Sequence, residues 1–228
     1  MATNGSPEIV GVTEAFYQAV FDTDRNRAFA VVQQALDQGI SAEELVFSAV
    51  IPSMDRMIKA VSEDFNASLA QHFMTAQIAS QVTDLLLSKF SQKPAVLGRV
   101  VIGTAFGDLH TLGKRIVIGC LKSLMVEVTD LGVNVSPEKF VDEAQARGAG
   151  VIAISAMMVH TARGEQGALA VRELLAQRGV EDRIKLVVGG APFRFDPELY
   201  KVVRADAWAD DGISAGRVIT RFLQGEVL

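Results

Sequence analysis

The sequence predicts an α/β protein in which an all-helical segment precedes a parallel sheet. Three observations carry that expectation. Residues 1–90 show helical periodicity only. A polar break containing a proline follows at Ser91-Gln92-Lys93-Pro94. Beyond it, apolar runs of strand length alternate with helical stretches.

Ser6-Pro7-Glu8 reads as the start of the first helix, with a capping hydroxyl, proline at the first helical position and an acid near the positive dipole end. Asp24 is placed to cap a second helix, running through Phe29, Val32 and Leu36 and stopping at Gly39. Ser41-Ala42-Glu43-Glu44 has the form of a capping box and opens a third, with Leu45, Val46, Ala49 and Val50 on its apolar side. Pro52 lies within that stretch and is expected to kink it. A fourth helix spans about Ser68 to Phe90, and four helices with short connections suggest an antiparallel bundle.

Strands are expected at Arg99–Ala105, Glu127–Leu131, Val151–Ser155, Lys185–Val188 and Ala207–Ala209. Helices are expected near Gly113–Met125, Pro137–Arg147, Glu165–Gln177, Pro197–Val203 and Ile213–Leu223. Ser136-Pro137-Glu138 and Asp196-Pro197-Glu198 repeat the capped proline start. Five successive βα units specify a parallel sheet with helices on both faces. Their length fits a doubly wound, flavodoxin-like (Rossmann-like) five-stranded sheet in the order 2-1-3-4-5. The chain thus divides into a helical domain at 1–90, a linker at 91–97 and a Rossmann-like domain at 98–228.

Composition narrows the partners. With 49% hydrophobic and 21% charged residues, the 228-residue chain can bury a core. No run of about 18 uncharged apolar residues is present, and the first residues lack the pattern of a signal peptide. A net charge of -5 gives no electrostatic support to nucleic-acid binding. The single cysteine, Cys120, excludes an internal disulfide and a multi-cysteine metal site, and reads as a small buried residue of a helix. A soluble cytoplasmic protein, without nucleic-acid or membrane partners, is expected.

In a doubly wound sheet, ligands bind beyond the carboxyl ends of the strands, at the switch point between strands 1 and 3. The loop there is Gly107-Asp108-Leu109-His110-Thr111-Leu112-Gly113; Ser155-Ala156-Met157-Met158 follows strand 3, and Gly189-Gly190 ends strand 4. Asp108 and His110 make chemical sense together. A metal-ligating imidazole usually gives its second N–H to a carboxylate, which sets the tautomer. The plainer reading leaves Asp108 as a helix cap and His110 as an ordinary loop residue. A single histidine does not hold zinc, and no further ligand is evident nearby.

The segment GTAFGDLHTLGKRIV closely resembles the cobalamin-binding signature Asp-x-His-x-x-Gly of methionine synthase, corrinoid methyl carriers and certain mutases. Asp130-Leu131-Gly132-Val133, Ser155-x-Met157 (where the family has Ser-x-Leu) and Gly189-Gly190 match its later elements in order and spacing. The resemblance implies a cobalamin whose nucleotide tail leaves the cobalt and inserts into the crevice, with His110 as the cobalt ligand and Asp108 behind it. It further implies that Gly107, Leu109 and Thr111 flank the cofactor and that Ser155 and Met157 line the tail pocket. Gly189 and Gly190 would leave room for the tail, and Gly113 would allow close approach of the first helix. On this view a side chain at Gly190 weakens cofactor binding more than folding. Where the family often has an acid after the histidine, this chain has Thr111. Where methionine synthase has a serine completing the Asp–His relay, it has Thr161.

The resemblance extends to residues 7–90, which would form a helical cap over the cobalt's upper face, with 91–97 as a hinge. Ser62-Glu63-Asp64-Phe65-Asn66-Ala67-Ser68-Leu69-Ala70-Gln71-His72-Phe73 departs from the carriers' Gly-Glu-x-Phe-x-Pro-Glu-Leu and is similar to the Glu-His element of cobalamin photoreceptor caps. His72 therefore has two open readings, a residue near the upper face or a partly exposed helix histidine. The implied function is a corrinoid protein carrying a methyl group from a substrate-specific methyltransferase to a second one, with tetrahydrofolate as acceptor. The alternative is a sensor or photoreceptor-like binding protein without its own DNA-binding domain.

Overall fold

The computed structural model describes residues 7–54, 56–57, 69–90 and 96–226. Two compact units emerge, Met1–Ala95 with Lys122–Leu124, and Val96–Leu121 with Met125–Leu228.

The described residues of the first unit's main segment are helical: α1 (Pro7–Phe21), α2 (Arg25–Asp37), α3 (beginning at Ala42–Leu45) and α4 (Leu69–Leu87). Asp24 and Ser41 cap their helices as expected. The Asp24 carboxylate accepts from Arg27 N at 3.0 Å and Ser41 Oγ accepts from Glu44 N at 3.1 Å, each relieving an orphan donor of the first turn. The buried stripe of α2 is Ala28, Val32 and Ala35, one position off the expected Phe29–Val32–Leu36 line. The Arg25 guanidinium covers the Phe29 ring instead, 4.6 Å from its centroid.

Pro52 does not simply kink its helix. Its effect shows upstream as a π turn over Val46–Val50, with helix resuming at 51–54. Proline has no N–H to give the carbonyl four residues back, which is that of Ser48. Thr13 Oγ1 of α1 lies 2.9 Å from Ser48 O and 2.7 Å from Ile9 O, so one hydroxyl serves the vacated carbonyl and its own helix. Leu45, Val46, Ala49 and Val50 are buried, as the apolar periodicity required. Ser6, the expected start at Ser68, the 62–68 segment and linker residues 91–95 lie outside the described residues. The side chains of Gln71 and His72 do too, although His72 falls on α4.

The second unit runs β1 (Gly98–Thr104), α5 (Leu112–Ser123), β2 (Val126–Asp130), α6 (Pro137–Arg147), β3 (Val151–Ser155), α7 (Val159–Arg163), α8 (Ala168–Gln177), β4 (Lys185–Gly189), α9 (Ala191–Phe195), α10 (Leu199–Val202), β5 (Ala207–Ala209) and α11 (Gly212–Leu223). All neighbouring strands are parallel and the order is β2-β1-β3-β4-β5, as expected. Separate apolar clusters cover the two faces, one around Phe140, Leu175 and Phe193, the other around Ile102, Leu121 and Ile219. Burial on both faces explains why β1, β3 and β4 read as continuous apolar runs rather than alternating ones.

Two helix expectations are corrected. The helix expected from Glu165 begins at Ala168, and a short helix that was not expected, α7, precedes it; between them the chain turns through Gly164 and Gly167, where a Cβ would lie 2.4 Å from His160 O and 2.9 Å from Thr161 O. The helix expected from Pro197 starts at Leu199, and a separate one, α9, precedes it. For function, the decisive feature is the register. Thr104 pairs with Ser155 and Ser155 with Gly189, so the ends of three central strands form one row facing the loops that carry His110 and Met157.

Candidate functional site

The loop after β1 is built from the backbone outward. Asp108 N donates to Ala105 O at 3.0 Å, closing a turn that contains Gly107 at φ 77°. The turn sends the Asp108 side chain into the protein, where it is fully buried, while the His110 side chain stays 55% exposed. A buried carboxylate demands partners. Asp108 Oδ1 accepts from His110 N at 3.0 Å and lies 2.8 Å from His110 Nδ1. Asp108 Oδ2 accepts from Met157 N at 2.7 Å and lies 3.1 Å from Thr161 Oγ1. The Thr161 hydroxyl has the Met158 carbonyl, at 2.9 Å, as its other acceptor.

Burial alone would raise the Asp108 pKa, but the donors from Met157, His110 and Thr161 outweigh it and hold the carboxyl below its ordinary value. Asp108 is therefore ionised at neutral pH. With Nδ1–H directed at Asp108, the His110 ring keeps Nε2 as its lone-pair nitrogen, and Nε2 has no hydrogen-bond partner among the described residues. A depressed carboxyl contributes stability above its unfolded value that is lost as pH falls through the folded one. Melting of the cofactor-free protein should accordingly show an acid limb below about pH 4. Asp108→Asn should weaken that limb and be less stable by about 1–3 kcal/mol at neutral pH, since an amide cannot accept from all these donors. An unchanged pH profile in the variant would contradict the assignment.

Residues not singled out in the sequence hold the loop in place. The Thr104 hydroxyl donates to His110 O at 2.8 Å from the end of β1. Asn134, at φ 53°, accepts from Gly107 N through Oδ1 at 2.8 Å and donates its own N–H to Asp108 O at 3.0 Å. Lys114 is buried, pairs with the Asp130 carboxylate and donates to Gly132 O at 2.9 Å, gripping the loop that carries Asn134. The Gly113-Lys114 and Gly132–Asn134 strings were visible in the sequence, but nothing local showed that they meet.

The glycines divide by cause. A Cβ on Gly190, at φ 117°, would lie 1.9 Å from Ala156 O, so the chain's own packing requires glycine there. The expectation that a side chain at 190 harms the cofactor more than the fold is corrected on that ground. Gly189 is tight rather than impossible, its Cβ 3.1 Å from Ala209 O. Gly113 has the opposite character. Its Cβ would meet only Ser155 Oγ, at 3.9 Å, so no close approach of the chain demands glycine there. What Gly113 leaves is open space beside a hydroxyl.

Exposed apolar side chains stand on both loops, Phe106, Leu109 and Leu112 on one and Met157 and Val159 on the other. Thr111 is exposed beside them, and His160 is exposed without a part in the Asp108 network. Among the described residues no group of three or more His, Cys, Asp or Glu could hold a metal ion. One outward imidazole amid apolar side chains suits a metal that brings its own planar ligands. The space at Gly113 and Ser155 suits a tail reaching into the sheet edge. The residues present fit cobalamin.

Comparison with known proteins decides the family: the B12 binding domain model matches residues 98–215. The chain belongs to the B12-binding family. Cobalamin is its cofactor. Among similar proteins, trimethylamine corrinoid protein 1 of Methanosarcina acetivorans is 33% identical over 184 residues, 78% of this chain and 82% of that protein. Dimethylamine corrinoid protein 3 of the same organism is 30% identical over 206 residues, 89% of this chain and 88% of its own length. Two solved structures share the fold at 20% identity. A cobalamin-binding protein from Desulfitobacterium hafniense has a TM-score of 0.75, covering 92% of this chain and 98% of its own. A chain of the methanol:cobalamin methyltransferase complex of Methanosarcina barkeri has a TM-score of 0.77, covering 99% of this chain and 88% of its own.

Within this B12-binding chain Cys120 is buried, and burial pushes its thiol up to about 12, which leaves it no thiolate character at neutral pH. No helix among the described residues is long and apolar enough to cross a membrane.

Proposed function

We propose that the protein holds cobalamin base-off with His110 as its lower ligand, and carries a methyl group from a substrate-specific methyltransferase to a second one. The observation that supports this reading most is the Asp108–His110 pair, in which the buried carboxylate engages Nδ1 and leaves Nε2 outward. Cobalamin, when bound, supplies the metal that takes up and passes on the methyl group; the protein's part is positioning and tuning. Asp108 fixes the imidazole tautomer, and the Met157 N–H and Thr161 hydroxyl keep its charge in place. His110 would hold the metal through Nε2, and the ionised Asp108 would keep the ring in the tautomer that leaves that nitrogen available. Gly113, Ser155 and Met157 would line the tail's path, with Gly189 and Gly190 at its floor. Residues 1–90 take the part of the cap in the same reading.

The names of the relatives favour a methylated amine as donor. A tetrahydrofolate-type methyltransferase is the second partner implied by the resemblance to the carriers. The protein loaded with a cobalamin, mixed with the methyltransferase encoded beside its gene and a methylated amine, should pass methyl groups on to tetrahydrofolate when the second enzyme is added. Tight binding with no transfer, together with a requirement for adenosylcobalamin, would support the sensing alternative and overturn the carrier reading.

A further inference from the structure

We infer that Thr104 is a positioning residue for His110, fixing where the imidazole is aimed, whereas Asp108, held by Thr161, sets its tautomer. The inference rests on the reading of His110 as the cobalt ligand. Thr104 is fully buried and closes β1, the strand next to the switch point. Its backbone is held from both sides, since Thr104 N donates to Gly132 O at 3.0 Å and Thr104 O accepts from Val135 N at 3.0 Å. A side chain anchored so firmly has little freedom of its own. Its hydroxyl reaches six residues forward and donates to His110 O at 2.8 Å.

The main chain of His110 is thereby tied at both ends, its N–H to Asp108 Oδ1 and its carbonyl to Thr104. The two ties differ in what they follow. The N–H bond moves with the Asp108 side chain and is part of the charge network. The carbonyl bond belongs to the sheet and is indifferent to the state of that network. Sites carried on rigid elements hold geometry better than sites on loops, and Thr104 lends the histidine the rigidity of β1. Its effect acts on the orientation of the ligand and leaves the carboxylate's four donors untouched.

The test uses Thr104→Val, which removes the hydroxyl at nearly the same volume, and Thr104→Ser, which retains it. Full-length wild type and both variants are loaded with a cobalamin whose own nucleotide base carries labelled nitrogen, and electron paramagnetic resonance of the cobalt(II) form identifies the axial nitrogen. Wild type should show a protein nitrogen. Thr104→Val should lower the ratio of histidine-ligated to unligated cobalt by about threefold to tenfold, the range expected for one lost hydrogen bond. Thr104→Ser should restore most of it, and melting of the cofactor-free forms should stay close to wild type. A Thr104→Val protein with the wild-type ratio overturns the inference even if it melts lower, because Thr104 would then be a structural residue only. Failure of the serine variant to restore the ratio overturns it as well. A wild-type spectrum with the cofactor's own base on cobalt removes the underlying ligand reading, and the inference falls with it.

Discussion

Replacing His110 by alanine should give a protein whose cobalt(II) spectrum carries no protein nitrogen. The expectation follows from the ring being the outward member of the Asp108–His110 pair, with Nε2 unpartnered among the described residues. Cobalamin affinity should fall by at least about tenfold, the loss that even removal of a supporting group behind a metal ligand typically causes. The cofactor-free fold should barely notice, because a half-exposed loop side chain contributes within about 1 kcal/mol. Asp108 keeps its donors from His110 N, Met157 N and Thr161 in that variant, so its burial is not orphaned. Electron paramagnetic resonance with the base-labelled cofactor, alongside thermal melting, separates the two effects. Persistence of an unlabelled axial nitrogen in His110→Ala would assign the ligand to another residue.

Gly190→Leu should cost folding stability first and cofactor binding only in consequence. Gly190 has φ 117°, and any Cβ there would lie 1.9 Å from Ala156 O and 2.9 Å from Ala156 C. Neither contact can be relieved by a side-chain rotation, because both atoms are backbone. The Ala156 segment is itself held to the strand, since its N–H donates to Gly189 O at 2.9 Å. A strained φ costs on the order of 1–3 kcal/mol, and the backbone collision adds to it. A loss of about 3 kcal/mol lowers Tm by roughly 6–12 °C for a chain of this size. Gly113→Val is the informative contrast, since a Cβ there meets only Ser155 Oγ at 3.9 Å and no backbone atom. It should leave the cofactor-free melting nearly unchanged while weakening cobalamin binding. A Gly190→Leu protein melting within about 2 °C of wild type would show that the β3–β4 corner yields and that the fold does not require glycine there.

Much of the fold could be read directly from the chain, for reasons of period and capping. Parallel strands buried on both faces must be continuously apolar, so Val151–Ser155 and Ala207–Ala209 announce themselves without an alternating pattern. Ser136-Pro137 and Asp24 mark helix starts because orphan N–H groups need a local acceptor. The boundaries that were missed are set by contacts distant in sequence or by local backbone crowding. The helix expected from Glu165 starts only at Ala168, after a turn through Gly164 and Gly167 where a Cβ would press on backbone carbonyls, crowding that no propensity reports.

The site divides along the same line. The sequence by itself determined the order of the strands, and hence that Gly107–Gly113, Ser155 and Gly189 share one edge of the sheet. Alternating βα units imply a parallel sheet, five of them fit the order 2-1-3-4-5, and the switch point follows from that order. It also brought forward the Asp108–His110 pair, since both residues lie on one short loop and their chemistry is complementary. Only the tertiary structure decided what satisfies Asp108: its two remaining donors, Met157 N and the Thr161 hydroxyl, come from 49 and 53 residues away. Only the tertiary structure separated Gly190, forced by a neighbouring carbonyl, from Gly113, which faces open space. Thr104 and Asn134 belong to the same category. Their residue types are unremarkable in a strand end and a loop, and they matter because sheet register and a left-handed turn bring their polar atoms to the backbone around His110. Hydrogen bonds of this kind depend on distances that adjacency in sequence does not encode, and the packed sheet sets those distances.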